Sequence, residues 1–320
     1  MSTAKKLMIA AVSLLVAGVL ICGGTFAING FDFHKFSTVE YETNTYEVKE
    51  DFRNITIKAD AEDITLIPSS DGACKVVCLE EKEDPHQVSV RGDTLTICKK
   101  EKQNIQFFHV GIITESPKIE VYLPNDTYQA LSVDADTSDV NIPKNFSFES
   151  ISVMLDTGDI KCQASVNANV TMKTETGNIT ISEISASEMK LTSETGRMDI
   201  KNVELSGNLE IREETGRVDM ENVTCRNLTS NGDTGKIALT NVVASGELNI
   251  ERSTGDVHFN GCDAETIYVR TDTGDVTGSL LSDKVFITDT DTGNIDVPKT
   301  ITGGRCEITT DTGDIEINVE

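Results

Sequence analysis

The sequence predicts an all-β protein. It reads as a parallel β-solenoid of about ten coils of 19–20 residues, behind a β-rich N-terminal cap and one N-terminal transmembrane helix. Three observations predict this. Thr-Gly recurs in register at Thr157, Thr176, Thr195, Thr215, Thr234, Thr254, Thr273, Thr292 and Thr312, in steps of 19 or 20 residues, and a degenerate copy, Asp136-Thr137-Ser138-Asp139, lies 20 residues before the first. On either side of each Thr-Gly the apolar residues fall two apart, with no i, i+3, i+4 stripe. The chain also opens on 22 residues, Leu7 to Ile28, without a charge.

That opening run is long enough to span a bilayer as a helix. Lys5 and Lys6 before it assign residues 1–6 to the cytoplasm and everything after the helix to the outside, as a single-pass membrane protein. A cleaved signal peptide ending at Thr25-Phe26-Ala27 and a lipoprotein site at Cys22 are the alternatives. The run is long for the first, and Ile21 is the wrong neighbour for the second. Residues 29–37 follow as a linker.

Residues 38–125 form the cap. Ile55 to Pro68 matches Leu131 to Pro143 closely enough to be a diverged first coil. Alternating runs at Cys74–Leu79, Val88–Val90 and Thr94–Cys98 follow, the last two joined by Arg91-Gly92-Asp93, a hairpin signal. Ile119, Val121 and Leu123 end the segment, whose insertion is expected to cover the solenoid's first rung.

Residues 126–320 are the solenoid. Counted from each central Thr, positions −6 and −4 are mostly apolar (Leu209 and Ile211 before Thr215, for example), as are +3 and +5 (Val218 and Met220). Each half is therefore a short strand with one buried face, and the Thr-Gly between them is a turn. Gly serves there because a corner needs φ > 0. An apolar residue at +8 (Ile184, Val203, Val223, Val242, Leu281) predicts a third inward face. Stacked about 4.8 Å apart, ten coils make a rod about 45–50 Å long. The far end stops at Glu320 with only Glu316 and Glu320 to blunt it.

Position −1 is acidic in nine of the ten copies, Ser253 being the exception. Position +2 is Asp or Asn, except for Arg197, Arg217 and Lys236 in the middle coils, which are expected to pair with Glu194, Glu214 and Asp233. Towards the ends the acids lack bases. There Asp156, Asp159, Asp272, Asp275, Asp311 and Asp314 are calcium candidates, the one cofactor the pattern admits, against simple screening by water and salt.

The net charge of −25, from 53 acids and 28 bases, excludes a nucleic-acid partner. Eight cysteines invite disulfides in an oxidising compartment. Cys162 and Cys306 instead fall on core positions, as small buried apolar groups, while one pair can form among Cys74, Cys78 and Cys98. There is no zinc spacing, no nucleophile elbow, no Trp, and only four histidines, His34, His86, His109 and His258, none of them recurring. No catalytic residue is assigned, and the chain is expected not to be an enzyme.

A lysine-flanked anchor, Ala-Asp-Ala-Glu-Asp-Ile, Gly-Asp-Thr-Leu-Thr-Ile, Ile-Glu-Val-Tyr-Leu-Pro and then many Asp-Thr-Gly-Asp-Ile turns follow one another. Over residues 40–320 this resembles the bacterial putative-adhesin family of cell-envelope β-solenoids, LiaG-like proteins included. The resemblance implies an extracytoplasmic repeat scaffold, often linked to envelope stress, and carries over no catalytic residue. The expected function is a non-enzymatic scaffold binding an envelope protein or a cell-wall or surface glycan. The alternatives are a polysaccharide-degrading β-helix and a calcium-stiffened spacer.

Overall fold

In the computed structural model, residues 3–28, 40–99 and 116–320 are described. The linker expected at 29–37 lies outside them. Between Asn54 and Val319 nearly all of the described chain is strand, wound as a parallel β-solenoid.

Coils stack in the register the repeat predicts. Thr157 lies beside Thr137 and Thr176, Thr195 beside Thr176 and Thr215, and Thr215 beside Thr234. The −6, −4, +3 and +5 side chains point inward and form one continuous core, from Ile55 to Ile317. The Thr-Gly turn depends on Gly for two reasons. Its φ is 154° at Gly216, and a Cβ there would lie 1.7 Å from the carbonyl oxygen of Gly196 in the neighbouring coil. From Gly158 onward the turns therefore stack too tightly for a side chain at that position, whereas the degenerate turn carries the buried Ser138 there.

A second corner lies at +7. Asn202, Asn222 and Asn241 take φ of 52–56°, and Gly261 follows at 63°. Asn tolerates the left-handed conformation, and here it gains a ladder as well. Asn222 Nδ2 donates to Asn202 Oδ1 at 2.9 Å, and Asn241 Nδ2 to Asn222 Oδ1 at 3.0 Å. The expected third face then begins at Ile184, Val203, Val223 and Val242, all buried. Leu281 is a correction: it is exposed, and a register shift gives its slot to Leu280, beside Cys262.

At the N-terminal end, 54–59 and 63–68 form a coil directly under Leu131–Val140. Strands 94–99 and 118–123 pair parallel to it and make one rung more. Antiparallel strands close that end: 74–81 on 118–123, 41–48 on 74–81, and 86–91 on 94–99 through the turn at Gly92.

The far end departs from sequence order. The C-terminal coil, 304–319, pairs on one side with 266–280 and on the other with 284–296. The Thr312 coil is thus inserted between those of Thr273 and Thr292. The free edge belongs to the Thr292 coil rather than to the one ending at Glu320. Val285, Ile287, Ile295 and Ile301 are exposed there.

The anchor expected at 7–28 is also corrected. The run does form a helix, Thr3–Ile28. Among the described residues, however, no helix is long and apolar enough to cross a membrane. The single-pass topology and the two-sided placement built on that anchor fall with it. The expected disulfides do not form either: all eight cysteines are free. Six are buried, and burial pushes the thiols of Cys162 and Cys306 up to about 12.

Candidate functional site

The Thr-Gly corners carry three stacked rows of polar groups. The innermost is position −2. Its hydroxyls donate to the corner Gly carbonyl of a neighbouring coil: Thr174 to Gly158 at 3.1 Å, Ser193 to Gly177 at 3.3 Å, Thr271 to Gly255 at 3.3 Å, and Thr310 to Gly274 at 3.1 Å. Each such bond satisfies a carbonyl at a turn where the strand ladder is interrupted.

The +2 row is a second ladder, running from side chain to backbone. Asp139 Oδ1 accepts the Asp159 N–H at 2.8 Å, and Asp159 Oδ1 accepts the Asn178 N–H at 2.8 Å. Asn178 Oδ1 accepts the Arg197 N–H at 3.0 Å. At the far end Asp275 Oδ1 accepts the Asp314 N–H at 2.8 Å, and Asp314 Oδ1 accepts the Asn294 N–H at 2.7 Å. Backbone N–H groups therefore relieve much of the repulsion expected within this file.

Of the calcium candidates, Asp159, Asp275 and Asp314 lie in that ladder. Asp156, Asp272 and Asp311 project from the corner at −1. The inserted coil brings Asp272 and Asp275 next to Asp311 and Asp314, since Thr273 pairs with Thr312. Asp156 and Asp159 lie on the distant Thr157 coil. Among the described residues, no three of these acids bring their oxygens within reach of one ion.

In the middle coils the bases find other partners than those expected. Arg197 reaches Asp199 at 2.8 Å and Asp219 at 2.9 Å, Arg217 reaches Asp219 at 2.7 Å, and Lys236 reaches Asp256 at 2.5 Å. The acids at −1 lie across the corner, while Asp199 and Asp219, at +4, share the outward side of the strand with the +2 bases. Two of these four contacts cross between coils. They form a half-exposed lattice of alternating sign on a flat face. The Lys236 ammonium also holds the Asp256 carboxyl below the usual carboxylate range.

Beside this lattice sits a buried charge pair that the repeat pattern did not reveal. Glu213 and Arg252 occupy the −2 positions of their coils, in place of the hydroxyls. The coil between them has Gly232 at −2 and Ser230 at −4. Arg252 reaches across that gap. Its Nη1 lies 3.6 Å from Glu213 Oε2 and donates to the Glu213 carbonyl at 3.2 Å, and its Nη2 donates to Ser230 Oγ at 3.0 Å. A Cβ on Gly232 would come within 1.5 Å of Nη1. Both side chains are fully buried, and both Glu213 oxygens and Arg252 Nε lack hydrogen bonds. Burial pushes the Glu213 carboxyl up to about 7, against the pull of Arg252. The signal was present in the sequence as the small residues Ser230 and Gly232 between larger ones. Outside this pair lies an open hollow of about 420 Å³ edged by Arg212, Glu214, Asp233 and Arg270.

A larger hollow, about 890 Å³, opens where the cap meets the first coils, between Phe52, Arg53, Asp93, Asp126, Tyr128 and Glu149. Its floor is an aromatic file. Phe52 stacks on Tyr128 at 6.0 Å, and Tyr128 lies 5.6 Å from Phe148. Of the four histidines, His34 and His109 lie outside the described residues. His258 is exposed, with Nδ1 3.1 Å from Thr277 Oγ1, and His86 is buried in the cap.

Two stretches of the chain, 52–213 and 206–320, match the model of one family, Toastrack DUF4097. The chain belongs to that family. The matched Toastrack stretches overlap on the strand entering the Thr215 turn, where Leu209 pairs with both Met189 and Leu228, so the ladder runs unbroken across the join. No curated protein matches the chain. Among solved structures, it is similar to a putative adhesin from Parabacteroides merdae (10% identity, TM-score 0.45, 77% of this chain and 98% of that one). It is also similar to a putative adhesin from Bacteroides fragilis (16% identity, TM-score 0.37, 87% and 97%). A third is a putative lipid binding protein from Parabacteroides distasonis (16% identity, TM-score 0.43, 87% and 97%).

Proposed function

We propose that this Toastrack protein is a non-enzymatic binding scaffold. Its flat side, centred on the Arg197, Arg217 and Lys236 coils, engages an extended partner, a cell-envelope protein or a cell-wall or surface glycan. The observation that carries the reading is the lattice itself. Three consecutive coils present bases at one coil position, half exposed, each already oriented by an acid. Groups repeated at the coil spacing meet a partner that is itself extended, at several points and at little entropic cost. The hollow beside the lattice is open rather than enclosed, which suits a surface contact better than the sequestered pocket of an enzyme.

The test is co-sedimentation of the full chain with purified cell-wall material and capture of envelope proteins, each with calcium and with chelator. Pelleting or capture that is lost in the Arg197→Ala/Arg217→Ala/Lys236→Ala variant supports the reading. Binding that the triple variant retains, or no binding in any arm, overturns it. Chelator sensitivity would bring the −1 acids into the contact, Asp272 and Asp311 first.

A further inference from the structure

The cap holds a cluster that neither the repeat pattern nor the proposed scaffold role explains. Cys78 and Glu80 are two apart on strand 74–81 and so share its inward face. His86 opens the next strand, 86–91. The Cys78 sulfur, a Glu80 oxygen and a His86 ring nitrogen lie within 4.8 Å of one another, the one such donor group among the described residues. All three side chains are buried.

The surroundings are those of a ligand set held in place. Glu80 Oε1 accepts from Tyr46 Oη at 2.6 Å and Asn44 Nδ2 at 2.8 Å. Oε2 accepts the His86 backbone N–H at 2.6 Å and touches the ring at Nδ1. On the other side of the ring, Nε2 has no hydrogen-bond partner and faces Glu62 Oε1 at 3.8 Å. Glu62 is fixed by Lys99 at 2.6 Å and by the N–H groups of Asp60 and Ala61. Two buried carboxylates thus stand against one lysine, and one further positive charge is needed to balance them.

We propose that Cys78 Sγ, Glu80 Oε2 and His86 Nδ1 bind a divalent transition-metal ion of the zinc type. The ion replaces the proton between Nδ1 and Oε2, and these two atoms move apart to ligate it. A thiolate, an imidazole and a carboxylate together suit zinc rather than calcium or magnesium. Metal ligation at Nδ1 leaves Nε2 protonated and donating towards Glu62, the carboxylate–histidine–metal arrangement that orients such rings. Tyr46 and Asn44 do the same for Glu80. Binding converts the Cys78 thiol to a thiolate, whose proton leaves to solvent, while the proton displaced from Nδ1 moves to Nε2, so each ion taken up releases one proton and the buried charges then sum to zero. Cys78, Glu80 and His86 come from two strands, and the supporting groups come from 41–48, 94–99 and the first corner. A bound ion would therefore clamp the cap onto the solenoid.

The test uses the full chain, reduced and stripped with chelator, titrated with zinc chloride by calorimetry in buffers of different ionisation enthalpy, and with cobalt(II) by absorption. The expected result is one ion per chain, one proton released, and a thiolate-to-cobalt charge-transfer band. That band is lost in Cys78→Ser, and zinc binding is lost in His86→Gln. Glu62→Gln, outside the ligand set, should weaken zinc about 10–100-fold. Circular dichroism of the metal-free variants checks that each still folds. The proposal fails if the reduced protein takes up no zinc. It also fails if zinc binds equally to Cys78→Ser and His86→Gln, which would place the ion on the acidic corners or on other cysteines. Cobalt binding without the thiolate band would overturn it as well.

Discussion

The buried Glu213–Arg252 pair should cost the fold about as much as it gives. At 3.6 Å and an effective dielectric constant near 20, the attraction is about 4–5 kcal/mol. Against it stands a desolvation cost of several kcal/mol for each ion. Glu213 reports the balance, because burial raises its carboxyl from 4.5 to about 7 even with Arg252 beside it. That rise corresponds to about 3 kcal/mol. Other coils solve the same −2 position with a hydroxyl, as at Thr174, Thr271 and Thr310. Glu213→Thr alone strands a buried guanidinium, and Arg252→Thr alone strands a buried carboxylate, so each should lose about 3–5 kcal/mol. The double replacement should lie within about 1 kcal/mol of the parent, or above it.

The pair also predicts a pH dependence. A carboxyl whose folded pKa is raised binds protons more tightly in the folded state. Its contribution is fully present below 4.5 and is lost as pH rises through about 7. The parent should therefore lose about 3 kcal/mol relative to the double variant between those values. Solenoids can open locally, so the readout is hydrogen exchange of the amides in 208–254 at pH 5, 6, 7 and 8, alongside thermal melting. A double variant as damaged as the sum of its singles, or a difference that stays flat from pH 5 to 8, would refute the reasoning.

Three further outcomes are expected. Gly216→Val should lose about 3 kcal/mol or more by thermal melting, because its Cβ would sit 1.7 Å from the Gly196 oxygen and 2.6 Å from Glu213 Oε1. Asp159→Ala should lose about 1–3 kcal/mol with the acceptor for Asn178, while Asp159→Asn melts like the parent, since Asn178 serves Arg197 in the same way. Deleting 304–320 should expose the amides of 284–292 to exchange as a block; persistent protection would mean that this coil stacks directly on 257–280.

The period alone made the stacked coils, their register and the first Thr-Gly corner legible, because a 19–20 residue unit cannot bury its inward residues except against a copy of itself. The match of Ile55–Pro68 to Leu131–Pro143 placed the first coil correctly for the same reason. What stayed hidden was set by single residues rather than by the period. The second corner rests on Asn202, Asn222 and Asn241, whose left-handed conformation looks like ordinary polarity in the sequence. The Glu213–Arg252 contact skips a coil, so its partners are 39 residues apart, and only the small Ser230 and Gly232 of the intervening coil mark the gap. The Arg197 and Arg217 partners depend on which side of the strand each carboxylate occupies. The cluster of Cys78, Glu80 and His86 needs the cap's antiparallel pairing before its members meet.

The stacking order at the far end shows where a repeat stops being informative. Every coil can pair with every other, so the period cannot say which coil ends the rod. Composition decides it. The C-terminal coil buries Cys306, Ile308, Ile315 and Ile317 and gains from cover on both sides. The Thr292 coil has Thr288 at an inward position. It continues into Pro298, which lacks an N–H and belongs at an edge. Placing inside the coil whose four inward positions are all apolar, and outside the coil that carries Thr288 and Pro298, keeps the buried face continuous. It also leaves fewer ladder bonds unmade than sequence order would. The chain accommodates the exchange through residues 297–303, where Gly303 takes a φ of 104° and a Cβ would meet the Asp283 oxygen at 1.8 Å. A bulky residue at 303 would therefore act on the order of the coils as well as on their stability.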